Sequence, residues 1–241
     1  GQHMHHIMEI ETPFLAAELT VVDHLKQQIP QLTRKLFKRP ALDGAQALSD
    51  LDPKDLLALM AAEGFAGEIT LQAGTCTWAR DVNWHGEPEG VDAGHMRFDA
   101  SGDLIEDGVH ADYSELWKHE RDEGLNAARV AIDGIEGVLV SSDRMFLIGL
   151  GRTGAPASAP LIAALKRGGK PAELSQHFSS QYALGHWEGA QGIADLSTNP
   201  FAEGQPVLER SANGKLTWHA TSYHGARTEL PLLEIRPKSG L

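Results

Sequence analysis

The chain has a single cysteine, Cys76, in 241 residues, so no internal disulfide framework can staple it. That usage fits a reducing, cytoplasmic setting. It also lacks any run of the ~18–20 apolar residues that a membrane-spanning helix needs. Basic residues are few: 21 Lys and Arg stand against 33 Asp and Glu, for a formal charge of −12. Nucleic-acid phosphates need a basic face, so no such partner is expected. The one basic cluster, Arg34-Lys35 with Lys38-Arg39, reads as the solvated side of a helix. Catalytic templates are missing as well: there is no phosphate loop, no Gly-x-Gly-x-x-Gly after a strand and no Gly-x-Ser-x-Gly elbow. His85, His95, His186, His219 and His224 are scattered without metal-ligand spacing, so neither a metal nor a cofactor is expected. Haem needs only one axial histidine and leaves no spacing signature, but it ranks below a metal-free ligand.

What the sequence does contain is alternation. From Thr75 to Trp84 one parity carries Cys76, Trp78, Val82 and Trp84, and the other carries Thr75, Thr77, Ala79, Asp81 and Asn83. A period of two with one dry face is that of a half-buried strand. Strands are expected at 68–73, 75–85, 93–99, 103–109, 127–133 and 137–151, the last breaking near Ser141-Ser142-Asp143. They resume at 181–188, 191–196, 206–210, 215–224 and 228–235. Gly74, Gly86-Glu87-Pro88, Ser101-Gly102-Asp103 and Asp133-Gly134 mark turns. The stretch from Ala111 to Glu123 suits a helical turn as well as a strand. The fold class expected is mainly β: an antiparallel barrel behind an N-terminal helical segment.

Residues 1–8 have the look of a tag or cloning remnant. Residues 9–66 read as a helical brace or lid, with Phe14, Leu15, Leu19, Val22 and Leu25 at helical spacing. Asp52-Pro53 supplies a cap and a first-turn proline for another helix, which Gly64 stops. Such helices also serve as an oligomerisation arm, which makes a homo-oligomer or a protein-interaction module alternative readings. Residues 67–241 are assigned to the barrel. Short helices are expected at 161–166 and 171–178.

Several of these segments carry a family likeness. Tyr113-Ser114-Glu115-Leu116-Trp117, Thr77 through Trp84, Gly137-Val138-Leu139-Val140 with Gly151-Arg152, Gly185-His186-Trp187 and Asn213 through Trp218 resemble the Hri family of lipocalin-like, calycin-type proteins. The likeness spans roughly residues 67–224. It implies a lipocalin-like barrel, with helices at the front where that family has strands. In barrels of this kind an early tryptophan packs under an arginine to plug one end, and Trp78 with Arg152 suits that part.

A closed barrel suggests a container. The first reading is therefore a pocket for a small, largely apolar molecule, with Arg80, Trp84, Arg97, Trp117 and His186 (and Tyr113) as wall or rim residues. The second is a cofactor-independent enzyme (lyase, dehydratase, isomerase or cyclase) with Glu106, His110, Tyr113 and Glu115 as acid–base groups. A carboxylate walled in by aromatic side chains has a raised pKa suited to that work. A solvated acidic rim is the plainer reading of the same residues.

Overall fold

The computed structural model describes residues 42, 44–88, 90–101, 103–117 and 126–235. The basic cluster and the helices expected between 13 and 37, with the oligomerisation arm they suggested, lie outside the described residues.

The alternating segments become thirteen strands. The first five are β1 (Phe65–Gln72), β2 (Thr75–Asn83), β3 (Asp92–Phe98), β4 (Leu104–Gly108) and β5 (Ser114–Trp117). The other eight are β6 (Asn126–Ile132), β7 (Ile135–Ser141), β8 (Met145–Gly151), β9 (Gln181–Glu188), β10 (Gln191–Ser197), β11 (Pro206–Arg210), β12 (Leu216–Thr221) and β13 (Arg227–Ile235). Among the described residues three α-helices accompany them: α1 (Pro53–Leu59), α2 (Ala159–Lys166) and α3 (Leu174–His177). Asp52 caps α1 by accepting from the Asp55 backbone N–H at 2.9 Å, and Pro53 takes the first helical position, where its missing N–H costs nothing.

β6 to β13 form a closed antiparallel barrel in sequence order, sealed where Leu233, Glu234 and Ile235 pair with Ala131, Val130 and Arg129. Its hairpins use the expected turns. Between β6 and β7, Asp133 (φ 42°) and Gly134 (φ 77°) supply the two left-handed residues that a tight two-residue hairpin requires. The first five strands do not join this barrel. They make a separate sheet in the order β1-β2-β3-β4-β5, so the stretch expected as one barrel from residue 67 is a sheet followed by a barrel.

Strand parity divides the barrel's side chains. Phe146, Ile148 and Leu150 point inward with Val130, Leu139, Ala183, Leu208, Trp218 and Leu232, forming one core cluster. Val138, Val140 and Leu147 point outward into a second cluster, against Val82 and Trp84 of the sheet and Leu56, Leu59, Leu165 and Phe178 of the helical segments. The interior is occupied. The Phe146 ring lies across two glycines: a Cβ added at Gly185 would stand 2.5 Å from its Cζ, and one at Gly192 would stand 2.9 Å from its Cε1. An eight-stranded barrel is just wide enough for side chains to fill, or to hold one small ligand. At the Phe146 layer this one is filled.

The arginine–tryptophan pair of the barrel is Arg210 over Trp187, with the guanidinium carbon 4.2 Å from the ring centroid. This corrects the expected Trp78–Arg152 pair. Trp78 sits in the small core of the sheet with Phe65 and Cys76, and Arg152 is exposed.

Sheet and barrel are joined by an ion pair as well as by apolar packing. Arg129 on β6 is only 9% exposed; its Nε donates to Glu68 Oε1 of β1 at 2.7 Å, and a second guanidinium nitrogen reaches Asp81 of β2. Such a planar fork suits two carboxylates at once.

Candidate functional site

The site is built on the five-stranded sheet, by register. Gly94 on β3 pairs with Gly108 on β4, leaving a patch of sheet without side chains. A Cβ at Gly94 would stand 2.5 Å from Cγ and Oε1 of Glu106, and one at Gly108 would stand 2.5 Å from Cε1 of Tyr113. The bare patch is therefore what seats the Glu106 carboxylate and the Tyr113 ring. Tyr113 Oη donates to Glu106 Oε1 at 2.6 Å, and Glu106 is 3% exposed.

Glu115 on β5 stands directly opposite Glu106 in the β4–β5 ladder, so the two carboxyl groups share a face. On the next strands, Trp78 of β2 pairs with Asp92 of β3, and Arg80 donates through Nε to Asp92 Oδ2 at 2.7 Å. The Arg80 guanidinium also lies over the Phe65 ring, 4.1 Å from its centroid. Burial first, then the charges of Glu106 and Asp92, raise the Glu115 carboxyl to about 7; Arg80 pulls the other way. Burial and the Glu106 hydrogen bond push the Tyr113 phenol above its ordinary value, so it stays a proton donor.

Of the residues singled out from sequence, this face gathers Glu106, Tyr113, Glu115 and Arg80. His110, Arg97, Trp84 and His186 lie elsewhere. His110 is exposed in the bend after β4. Arg97 points to the opposite face of β3, where its Nε donates to Asp107 at 3.1 Å; Ser114 Oγ donates to the same carboxylate and, first among the causes, holds its pKa low. Trp84 is buried between sheet, barrel and α3, with its ring centroid 4.4 Å from that of His177. His186 lies on the outside of the barrel, 2.8 Å from Asp195 and 3.2 Å from Glu188, and Asp195 foremost raises its pKa. Trp117 pairs through its backbone with Leu104, and its side chain lies outside the described residues. Asp92 escaped the sequence reading. Its signal was its place two residues before Gly94, on the face of β3 that Arg80 can reach from β2.

No group of three or more His, Cys, Asp or Glu side chains among the described residues has a metal-binding arrangement. Among the same residues, no helix is long and apolar enough to cross a membrane. No protein-family model matches the chain. No curated protein and no solved structure matches it significantly.

His177 carries a separate consequence. Its Nε2 is buried without a partner, and burial, helped by His85, lowers its pKa to about 4 from an ordinary 6.5. The folded state favours the neutral ring. Stability is therefore full above pH ~6.5 and falls as acid protonates the unfolded chain first, by about 3 kcal/mol on reaching pH ~4. Urea melts between pH 7 and 4 should show this slope, and His177→Leu should flatten it. Equal slopes in the two proteins would assign the acid sensitivity to other groups.

Proposed function

We propose that this protein binds a small, largely apolar molecule on the Glu106–Tyr113–Glu115 face of its five-stranded sheet, and that Glu115 moves a proton on it without a cofactor. The observation that carries the reading is the pairing of Glu115 opposite Glu106. Two carboxyl groups held side by side in a half-buried site do not both ionise readily, and the one at about 7 can give or take a proton near neutrality. Tyr113 supplies the directed hydrogen bond that orients Glu106. Apolar surface adjoins the charged groups: Met96 lies on the same face of β3, and Phe98 (62% exposed) continues it to the strand end. Apolar walls with a few directed polar groups are what such sites use.

The eight-stranded barrel is a fold compatible with holding a small molecule. Since Phe146 fills the layer described above, the reading places the ligand on the sheet and gives the barrel the part of scaffold. Kinship with the Hri lipocalin-like proteins belongs to the same proposal, supported by the meander order of β6–β13. So does cytoplasmic residence, supported by a lone cysteine that is buried.

Simple binding at the same face is the competing reading, and two substitutions separate them. Native mass spectrometry of freshly purified protein is expected to show a co-purified organic molecule that survives Glu115→Gln. Turnover of that molecule should fall by about 10²–10⁴-fold in Glu115→Gln, the range general acid–base groups contribute, with little change in affinity. Unchanged turnover in Glu115→Gln would remove the catalytic part. A molecule held as tightly by Gly94→Val would remove the site itself.

A further inference from the structure

The pairing on the sheet face says what a ligand must bring. Asp92 is matched to Arg80, and Glu106 is engaged by the Tyr113 phenol. The Glu115 carboxyl and the indole N–H of Trp78 have no hydrogen-bond partner among the described residues. Register puts both on one face. Trp78 stands opposite Asp92; Met96, at an alternate position of the same strand, stands opposite Glu106, and Glu106 opposite Glu115. Directly opposed residues share a face, and so do alternate residues of one strand. Arg80 on β2 and Asp92 on β3 lie near enough for their charges to act on Glu115 of β5. Trp78 is 5% exposed and packs with Phe65, Ile69 and Met96. A donor shut away from water and left unpaired is uncommon in native folds, and it marks a place for an acceptor.

We propose that the molecule bound here is a ketone or aldehyde, that its carbonyl oxygen accepts a hydrogen bond from the Trp78 N–H, and that Glu115 takes a proton from the carbon beside that carbonyl. The inference rests on the site proposed above and names the class of substrate it works on. The C–H bond breaks and its proton goes to a Glu115 oxygen. Its electron pair forms a carbon–carbon double bond, and the carbonyl π pair moves onto oxygen. Return of the proton to the same carbon, or to the far end of an adjoining double bond, completes an exchange or an isomerisation with no other reactant. The net charge of the site is unchanged throughout. It moves from Glu115, where it faces Glu106, to an oxygen held by β2, the strand that also carries Arg80. A fixed donor aimed at a developing oxyanion is a large contribution to reactions of this kind.

The test uses two probes of similar shape on the full chain, 4-phenyl-2-butanone and n-butylbenzene, followed by NMR. Trp78 is one of five tryptophans, and Trp78→Phe identifies its indole N–H signal by removing it. The ketone should move that signal downfield, and the hydrocarbon should not. In heavy water the protein should replace the hydrogens beside the carbonyl with deuterium faster than buffer does. That rate should be about tenfold lower at pH 6 than at pH 8, because only ionised Glu115 is a base and its carboxyl titrates at about 7. Glu115→Gln should slow the exchange by about 10²–10⁴-fold with the ketone still bound, and Trp78→Phe by about 10²–10³-fold, each with an unchanged circular dichroism spectrum. Ketone binding that leaves the Trp78 signal in place would overturn the carbonyl assignment and leave the site standing. So would exchange undiminished in Trp78→Phe. Ketone binding with no exchange, or exchange equal in Glu115→Gln, would overturn the proton step. Binding of neither probe would overturn both the inference and the site.

Discussion

Phe146→Ala is expected to lower the stability of the protein by about 3–5 kcal/mol, the usual cost of emptying a buried aromatic site. The reason is local. Phe146 is 1% exposed, and its ring occupies the space that Gly185 and Gly192 leave by having no side chains. It also touches Trp187 at a centroid distance of 5.5 Å, so the loss reaches the Arg210–Trp187 pair at the barrel end. Neither glycine has a side chain to turn into the gap, and at Gly185 even a Cβ would overlap the carbonyl oxygen of Ile193. The void should stay apolar and dry, and should take up benzene or xenon. Chemical denaturation and xenon-shifted NMR signals measure the two effects. A loss below about 1 kcal/mol would mean that the barrel interior is loosely filled there, and would restore the hollow expected from the alternating strands.

Gly94→Val is expected to weaken ligand binding on the sheet by about 10–100-fold while leaving the fold in place. Valine suits a strand, so β3 should persist. Its Cβ, however, would stand 2.5 Å from both Cγ and Oε1 of Glu106. The carboxylate must then leave the bare patch and give up the 2.6 Å hydrogen bond from Tyr113. Loss of one charge-assisted hydrogen bond corresponds to about 10–100-fold in affinity. The stability cost of crowding should stay within about 1–3 kcal/mol. An unchanged dissociation constant for the co-purified molecule, with an intact near-ultraviolet circular dichroism spectrum, would show that Glu106 is a packing residue only.

Local periodicity made much of the architecture legible, and pairing over long distances did not. The dry parity of Cys76, Trp78, Val82 and Trp84 is buried as the alternation requires, because a strand's faces are fixed by its own residues. Gln181–Glu188 and Pro206–Arg210 are strands at the expected bounds, since turn residues frame them. The break near Ser142 separates β7 from β8. The division into sheet and barrel was invisible, because alternation says which face is dry and nothing about which strand lies alongside. The Arg129 bridge to Glu68 and Asp81 joins residues 61 and 48 positions apart, and no spacing rule announces it. The site was half legible. Glu106, Tyr113 and Glu115 stood out as a dense run, but His110 sits among them in sequence and outside the cluster in space, because the bend after Gly108 carries it off the strand. Arg97 was lost to parity: one residue from Met96, it emerges on the other face.

The sealing of the barrel at Leu233–Ile235 has a bearing on how the chain assembles. Every other neighbour in the β6–β13 cylinder is the next strand along; six of these seven pairs are joined by short connections that zip up at little entropic cost, and β8 and β9 are joined across the stretch that carries α2 and α3. The last seam joins the most distant segments, through three residue pairs among the described residues. Until it forms, β6 and β13 each expose an unpaired edge able to recruit another copy. The slow and aggregation-prone moment of folding is thus assigned to the docking of β13 on β6, and until that strand pairs the cylinder stays open.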